Sequence, residues 1–320
     1  MIPPVHPNLN AAADTWRLED IPDQAGRTVL VTGTTLGGLG HHTALELARR
    51  GARVVLAGRR ADRLEETADT IVAEVPKARL ERLVVDLADL ASVRRAAAEA
   101  SGLGPIDVLV NNAGVMAPPY HRTGDGLELQ MATNHFGPFL LTGLLLPQLV
   151  ASEAATVVTV SSLMHRIARS APLEDPRTPQ GHYSRWPVYG RTKLANLLFT
   201  YELERRCREA GLPVKALAAH PGFAGTHLVV NGRFGRSSGG LASILDAGVR
   251  AVSQSAAAGA WPTLMAATAD LPGGTFCGPG GMGERRGAPR VVGSTGLSRD
   301  EDAQRRLWQL SEETVGLRYP

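Results

Sequence analysis

Short apolar runs alternate along this chain with longer stretches that mix apolar and polar residues. The runs are rich in β-branched and aliphatic residues, which is typical of buried strands, and they predict strands at 27–32, 53–58, 80–85, 106–110, 156–160 and 215–219. The mixed stretches predict helices, among them 41–50 and a final helix at Asp300–Gly316. Strands that alternate with helices indicate a parallel sheet covered on both faces. We therefore predict an α/β fold with a doubly wound, mostly parallel sheet and helices on both faces.

A glycine-rich turn joins the first predicted strand to the first predicted helix. It contains Gly33, Thr35, Gly38, Leu39 and Gly40. Glycines let a backbone approach a pyrophosphate closely, and the helix N-terminus adds unpaired N–H groups and the favourable end of a dipole. The order strand, glycine turn, helix is the one a dinucleotide site requires. It predicts a Rossmann fold that binds a dinucleotide.

Length and composition favour one domain. Doubly wound sheets often run past 250 residues around one core, so the 320 residues, 43% of them apolar, need no second domain. Residues 1–26 are Pro-rich and polar and predict an N-terminal arm, which leaves 27–320 as a single NAD(P)-binding Rossmann domain. Two further segments are interpreted as solvated: Gly278–Arg290 as a flexible loop, and the charged run from Glu202 to Arg208 as a helix face.

The end of the second predicted strand carries Arg59-Arg60 and no acidic residue. An acidic residue about 20 positions after the glycines serves the ribose 2′-hydroxyl of NAD, whereas an arginine suits a 2′-phosphate. Arg59 lies nineteen residues after Gly40 and therefore favours NADP(H). Two alternatives stay open: a solvated arginine pair at a helix entrance, and NAD bound with the help of nearby Asp62.

Polar residues also follow later strands, at the sheet edge where ligands bind in this class of fold. Asp86, before Leu87, has a carboxylate that could accept from an adenine amino group or cap the helix predicted near Ser92. The fourth strand runs into Asn111-Asn112-Ala113-Gly114, which favours a turn. Tyr189 and Lys193, four residues apart in a predicted helix, would lie one turn apart on one face, where the ammonium would lower the phenol pKa. A surface helix with a Tyr and a Lys fits this spacing equally well.

Charge and cysteine content exclude several classes of protein. The net charge is only +3 and its charges are interspersed, so no concentrated basic face predicts nucleic-acid binding. The two cysteines lack Cys-x-x-Cys spacing and neighbouring histidines, which argues against a disulfide scaffold or a metal site. The nine histidines are scattered, and His135 and His220 are interpreted as packing or supporting groups. Without a signal-like N-terminus or an apolar run long enough to span a bilayer, we expect a soluble cytoplasmic protein with no transmembrane segment.

Taken together, these motifs resemble the short-chain dehydrogenase/reductase superfamily. The glycine turn, Asn111–Gly114, Ser161-Ser162, Tyr189-x-x-x-Lys193 and Pro221-Gly222 occur in that family's order. The tracts Trp186–Asn196, Asn134–Phe139 and Leu307–Glu312 are similar, more narrowly, to the retinol dehydrogenase-like branch. One departure is that four residues, not three, separate Gly33 from Gly38, which leaves open the N–H groups that face the pyrophosphate.

The resemblance implies a role for each matching residue. Ser162 would bind the substrate oxygen, Tyr189 would be the acid or base, Lys193 would hold the ribose hydroxyls and lower the tyrosine pKa, and Asn134 would complete a proton relay. Ser162 and Asn134 could instead be ordinary strand-end and turn residues, and Pro221-Gly222 an ordinary turn. The cofactor-binding residues expected beside the glycine turn, Tyr189 and Lys193 are Arg59, Asp86, Leu87, Asn112, Ala113, Gly114, Pro221, Gly222, Phe223 and Thr226.

The resemblance thus implies an NADP(H)-dependent oxidoreductase that moves a hydride between nicotinamide and a carbonyl or alcohol of an apolar small molecule. The alternative is a non-catalytic protein of the same fold that senses dinucleotides or acts as a scaffold. Substrate contacts are expected near 163–188 and 224–260, where the apolar candidates are Met164, Phe223, Leu228, Phe234, Leu241 and Ile244. The sequence leaves open a homo-oligomer and the direction of the reaction.

Overall fold

The described part of the chain forms an eight-stranded sheet with strand order β3-β2-β1-β4-β5-β6-β7-β8. The computed structural model describes residues 16–176, 181, 183–223, 254–281 and 283–320. Strands β1 to β7 are parallel, and β8 pairs antiparallel with β7. The strands are β1 (Thr28–Thr32), β2 (Arg53–Gly58), β3 (Arg79–Val84), β4 (Val108–Asn111), β5 (Ala155–Val160), β6 (Val214–Ala219), β7 (Phe276–Gly281) and β8 (Arg286–Val291).

Helices cover both faces of this sheet, because central strands such as β1 are buried along their whole length and must be shielded on each side. The α-helices are α1 (Leu39–Arg49), α2 (Ala61–Glu74), α3 (Leu90–Ala100), α4 (Leu129–Met131), α5 (Gly137–Leu144), α6 (Leu146–Val150), α7 (Arg185–Glu209), α8 (Ala256–Thr268) and α9 (Glu301–Val315). A π-helical turn, Ala132–Phe136, joins α4 to α5. Short 3₁₀ turns occur at Leu18–Asp20, Ser101–Leu103, Leu163–Ile167 and Gly296–Arg299. The predicted α/β fold is confirmed.

Two apolar clusters lie on opposite faces of the sheet. One contains residues of α1, α2 and α8 together with Trp16 and Ile21, so part of the predicted N-terminal arm packs on the domain. The other contains residues of α3, α5, α7 and α9, including Phe139 and Trp308. The second cluster holds α7, the helix of Tyr189 and Lys193, against the sheet. No helix of the described chain has both the length and the apolar character needed to cross a bilayer.

The segment predicted as a flexible loop is instead the β7–β8 hairpin, and that prediction was wrong. Cys277 pairs with Val291, and Gly278 with Arg290. Gly278 is required by packing, because a Cβ at this position would lie 2.1 Å from Nε2 of His220. The glycines that indicate a loop in the sequence thus permit a close approach of β7 to the end of β6.

The charged run on α7 is not wholly a solvated face either. Glu202 is buried and accepts hydrogen bonds from Arg205 and Arg206 at 2.6 and 2.7 Å. Glu204 is partly buried and accepts from the backbone N–H of Ala216 at 2.9 Å. Glu204 therefore ties α7 to β6, whereas Glu202 pairs within α7, and the solvated interpretation holds for Arg208 only.

Candidate active site

The polar residues predicted from the sequence meet at one edge of the sheet. The glycine turn follows β1, Arg59 follows β2, Asn112 follows β4, Ser162 follows β5 and Pro221 follows β6. Because these strands are parallel, their carboxyl ends share an edge, and ligands of doubly wound sheets bind there. Tyr189 and Lys193 reach the same edge from α7, next to the end of β5.

The glycine turn is built for a close approach of backbone. Gly33 and Gly37 have φ angles of 74°, in the left-handed region that favours glycine, and Gly37 absorbs the extra residue of this turn. A Cβ on Gly40 would lie 2.5 Å from the carbonyl oxygen of Gly33. Gly38 is the N-cap of α1 and offers no side-chain hydrogen bond. The first N–H groups of α1 therefore remain available to an anion such as a pyrophosphate.

Asn112 attaches this turn to the end of β4. Its Nδ2 donates to the carbonyl oxygens of Thr32 and Gly33 at 2.7 and 3.2 Å. Oγ1 of Thr32 accepts from the backbone N–H groups of Asn112 and Ala113, both at 3.0 Å. The two segments that flank the expected cofactor groove are thus one hydrogen-bonded unit.

Two arginines follow β2, and only one of them forms an ion pair within the described part of the chain. Arg60 donates through Nε to Oδ1 of Asp62 at 3.0 Å and makes a second contact with the same carboxylate. Arg59 is exposed, and its side chain has no hydrogen bond or ion pair among the described residues. Of the two, Arg59 is the side chain free to bind an added anion.

Asp86 and Leu87 follow β3 in a compact turn. Oδ1 of Asp86 accepts from the N–H of Ala88 at 2.9 Å, and α3 is capped by Asp89, which accepts from Ala91 and Ser92. The alternative in which Asp86 caps this helix is therefore wrong. Leu87 is buried, and a Cβ on Gly137 would lie 2.2 Å from its carbonyl oxygen. Leu87 packs in the core, whereas Asp86 is partly exposed after the end of β3.

The segment Ser162–Ile167, here called the serine segment, lies close to α7 because α7 has a glycine at the point of closest approach. Ser162 and Tyr189 therefore lie side by side. A Cβ on Gly190 would lie 2.7 Å from Cγ1 of Ile167 and 2.8 Å from the carbonyl oxygen of Met164. At this approach, the Ser162 hydroxyl is the polar neighbour that acts on the Tyr189 phenol and favours its ionised form. Oγ of Ser162 also accepts from the N–H of Met164 at 3.2 Å, which fixes its rotamer.

Lys193 lies one helical turn beyond Tyr189, as the spacing predicts. Its Nζ is 5.7 Å from the centre of the Tyr189 ring and donates to the carbonyl oxygen of Val160 at 3.0 Å. Burial raises the pKa of Tyr189 to about 12, against a smaller lowering by the Ser162 hydroxyl. Burial likewise lowers the pKa of Lys193 to about 8. The lowering of the tyrosine pKa expected from Lys193 is not seen, since desolvation exceeds the other effects on the phenol.

Asn134 lies in the π-helical turn and clamps the chain after β4. Its Nδ2 donates to the carbonyl oxygen of Val115 at 2.9 Å and to Oγ1 of Thr192 at 3.0 Å, and its Oδ1 accepts from the N–H of Val115 at 2.7 Å. A Cβ on Gly114 would lie 3.1 Å from Oδ1 of Asn134 and 3.5 Å from Nζ of Lys193. Gly114 thus separates the asparagine from the lysine, with no room for a side chain between them.

The β7–β8 hairpin contacts the Pro221 loop and supports it. Gly222 has a φ of 64°, and a Cβ there would lie 2.4 Å from the carbonyl oxygen of Arg285. The N–H of Phe223 donates to that same oxygen at 2.9 Å, while the Phe223 side chain is exposed. Thr226, Leu228, Phe234, Leu241 and Ile244 lie outside the described residues.

Several residues that build the site carry only weak signals in the sequence. Oγ of Ser161 donates to the carbonyl oxygen of Lys193 at 2.8 Å and ties β5 to α7. Thr192 links Asn134 to the backbone of Tyr189, and Gly190 sets the approach of α7. Each is adjacent to a predicted site residue, and that adjacency is the signal that could have found them.

Comparisons with known proteins agree with this geometry. A family model described as short chain dehydrogenase matches residues 27–172. Human retinol dehydrogenase 13 is 37% identical over 300 residues, 92% of this chain and 86% of that protein. Mouse polyprenol dehydrogenase is 39% identical over 90% of this chain and 83% of its own length. A crystal structure of an uncharacterized protein from Mycobacterium paratuberculosis is 43% identical, with a TM-score of 0.78 over 95% of this chain and 99% of that one.

These relatives match nearly the whole chain, and the fold agrees with that of the solved structure. The resemblance to the retinol dehydrogenase-like branch is confirmed. The chain belongs to the short-chain dehydrogenase family and is an NAD(P)-dependent oxidoreductase that acts on CH–OH groups.

Proposed function

We propose that this protein interconverts an apolar carbonyl compound and its alcohol with NADP(H), with Tyr189 as the acid or base. The observation that carries the proposal is the close approach of α7 to the serine segment at Gly190, which brings Tyr189 beside Ser162, with Nζ of Lys193 5.7 Å from the centre of the Tyr189 ring. A protein that only bound dinucleotides would have no need for this proton-transfer set. A Cβ on Gly114 would lie 3.5 Å from Nζ of Lys193, and this proximity supports a location next to the expected cofactor groove.

Reduced nicotinamide, when bound, supplies the hydride for carbonyl reduction. As the C=O bond becomes a C–O single bond, negative charge develops on the oxygen, and Oγ of Ser162 stabilises it by donating a hydrogen bond. Oη of Tyr189 gives its proton to that oxygen, and in alcohol oxidation it takes the proton back. Lys193 would hold the ribose hydroxyls of the bound cofactor and stabilise the phenolate. Asn134 completes the proton relay that restores the tyrosine proton.

At neutral pH the protonated state of Tyr189 favours carbonyl reduction over alcohol oxidation. Since burial holds the pKa of Tyr189 at about 12, the phenol keeps its proton and is ready as an acid. Alcohol oxidation needs the phenolate instead, so its rate should rise with pH. This supports a reductive role.

The preference for NADP(H) rests on the end of β2. Arg59 is exposed and has no side-chain partner in the described structure, so it can pair with a 2′-phosphate. Asp62, the group that kept NAD as an alternative, is held by Arg60 instead. Asp62 thus already has a cationic partner, whereas Arg59 has none among the described residues.

An apolar substrate is supported by the surroundings of Tyr189 and by the relatives. Ile167, Trp186 and Phe223 are exposed apolar side chains, which lie respectively in the serine segment, on α7 and in the Pro221 loop. The Trp186 ring lies 6.3 Å from that of Tyr189, edge to face. The relatives' names, retinol dehydrogenase and polyprenol dehydrogenase, both denote lipophilic alcohols as substrates.

The test of the mechanism compares Tyr189→Phe with wild type, using NADPH and a panel of lipophilic aldehydes and ketones. Loss of the proton donor should reduce kcat by about 10² to 10⁴-fold and leave NADPH binding intact. Tyr201→Phe is the matched control, since Tyr201 is also buried on α7 but donates to Ser294 at 2.9 Å, outside the site. Unchanged turnover in Tyr189→Phe would refute the assigned mechanism.

The test of cofactor preference compares Arg59→Ala with Arg60→Ala. A charged hydrogen bond of about 1.5–3 kcal/mol predicts that Arg59→Ala raises the KM for NADPH roughly 10- to 100-fold. The KM for NADH should stay the same, and Arg60→Ala should change both values little. Equal loss for NADH and NADPH in Arg59→Ala would reject the 2′-phosphate role.

A further inference from the structure

Glu284 lies in the turn of the β7–β8 hairpin and faces two segments of the site. Its Oε1 and Oε2 accept from Nη2 of Arg166, each at 2.8 Å. Its Oε2 also lies 3.2 Å from Nε2 of His220. The Glu284 side chain is only 16% exposed. Arg166 follows Ser162 in the 3₁₀ turn Leu163–Ile167, and His220 precedes Pro221.

His220 connects Glu284 to the Pro221 loop. Its Nδ1 accepts from the N–H of Gly222 at 3.2 Å, so the ring proton lies on Nε2, the nitrogen that is 3.2 Å from Oε2 of Glu284. Burial lowers the pKa of His220, which keeps the ring neutral. The ring packs 5.1 Å from that of Phe276 and directly against Gly278. This arrangement fixes the direction of the N–H of Gly222.

The serine segment is held in place by His165 as well as by Arg166. Nδ1 of His165 lies 2.7 Å from the carbonyl oxygen of Ser162, and since a carbonyl can only accept, that nitrogen carries the proton. Arg166, the next residue, reaches Glu284. Residues 162–166 are therefore held at one end by His165 and at the other by the Arg166–Glu284 ion pair.

The backbone at Glu284 indicates that its side chain is needed there. Its φ is 64°, a left-handed conformation in which glycine would be less strained. Burial would raise the pKa of Glu284, but the hydrogen bonds from His220 and Arg166 together lower it to about 2. The group is therefore a carboxylate throughout the range in which the enzyme could work.

We infer that Glu284 is a positioning residue, which joins the segment bearing Ser162 to the loop bearing Pro221 and Gly222 and so sets the distance between the substrate oxygen and the nicotinamide. The inference rests on the proposed function, because only in a hydride transfer does this distance matter. It gives the β7–β8 hairpin a part in catalysis without contact with substrate. Gln254 supports the same loop, since its Nε2 donates to the carbonyl oxygen of Pro221 at 2.8 Å.

The test uses Glu284→Gln, which removes the charge, and Glu284→Gly, which removes the carboxylate and relaxes the backbone. Both should lower kcat by about 10- to 100-fold, the loss expected from a misplacement near 1 Å, with a smaller change in the KM for NADPH. Glu284→Asp, which keeps the charge and tolerates this φ, should recover part of the loss. Arg286→Gln is the control, since Arg286 is exposed in the same hairpin. Wild-type kcat in Glu284→Gly would overturn the inference.

Hydrogen exchange provides a readout that needs no turnover. In Glu284→Gln, exchange should rise both in 163–167 and in 220–223, whereas Arg286→Gln should leave both unchanged. A rise confined to the hairpin would contradict the joining role. If wild type reduces no compound in the panel, the proposed function fails while the exchange data still decide on the joining role. If wild type is active and Glu284→Gln matches it, only the inference about Glu284 fails.

Discussion

At the scale of single residues, Lys193 is a charge that the fold holds at a cost. Its ammonium is buried, and burial lowers its pKa from 10.5 to about 8. One pKa unit corresponds to about 1.4 kcal/mol, so charge burial costs roughly 3 kcal/mol at pH values below the lowered pKa. Removing Nζ would not orphan its acceptor, because Nδ2 of Asn196 also donates to the carbonyl oxygen of Val160 at 3.0 Å.

We therefore expect Lys193→Met to be more stable than wild type near pH 7, by up to about 3 kcal/mol, while turnover is lost. The unfolded chain binds the additional proton between the folded pKa of about 8 and the unfolded value of 10.5, so wild type gains stability as pH rises through this window. The difference between the two proteins should shrink accordingly. Urea unfolding without cofactor at several pH values measures it.

Lys215→Met is the control for this experiment, because Lys215 is exposed and pairs with Asp270 at 3.2 Å. It should change stability little, because an exposed ion pair contributes little to the free energy of unfolding. A Lys193→Met protein less stable than wild type near pH 7 would show that the lysine stabilises the empty site. Above about pH 10 both proteins should lose stability, since the raised pKa of Tyr189 means that the unfolded chain releases its proton first.

At the scale of elements, apolar patterning was enough to predict six parallel strands and the main helices. The strand limits differ by a few residues at most: β4 begins at Val108 instead of 106, and β3 at Arg79 instead of 80. The four-residue spacing also placed Tyr189 and Lys193 together correctly, since helix geometry is local. Patterning succeeds here because each of these features depends on residues close in sequence.

Features that depend on distant contacts were not predictable in this way. The β7–β8 hairpin looks like a loop because its glycine at 278 makes room for His220, 58 positions away in sequence and adjacent in space. The sequence suggests that Glu202 is solvated, whereas in the structure it is buried and paired with Arg205 and Arg206. Likewise, the π-helical turn that aims Asn134 at Val115 depends on an extra residue per turn, which has no composition signal.

At the scale of the whole molecule, the sheet is closed on its two faces by segments far apart in the chain. Trp16 and Ile21 join the cluster of α1, α2 and α8, and Trp308 and Tyr319 join that of α3, α5 and α7. Tyr319 fills the space beside Gly143, where a Cβ would lie 2.5 Å from its ring. Nε2 of His135, next to Asn134, lies 2.8 Å from Oγ of Ser311 on α9. Thus α9 packs against the helices that carry the site residues and supports them.

The stability of this face should depend strongly on Trp308. Its ring is buried, stacks on Phe199 at 5.9 Å and lies 4.9 Å from Phe139, and its Nε1 donates to Glu312 at 2.9 Å. Trp308→Ala should lower the free energy of unfolding by about 3–5 kcal/mol, because the cavity cannot collapse against the sheet. At temperatures where the variant stays folded, kcat should change little, since Ser161 and Asn196 still hold α7 to β5.

The exposed Trp186 provides the matched substitution, because Trp186→Ala makes the same chemical change on the same molecule without a buried cavity. It should cost within about 0.5 kcal/mol of stability, and any effect it has should be on the KM for apolar substrates. Urea unfolding of the two variants beside wild type, with kcat and KM measured below both transitions, separates the two roles. Similar stability losses in both would mean that α9 does not close this face of the sheet. A loss of kcat in folded Trp308→Ala would mean that α9 also positions Asn134 through His135 and Ser311.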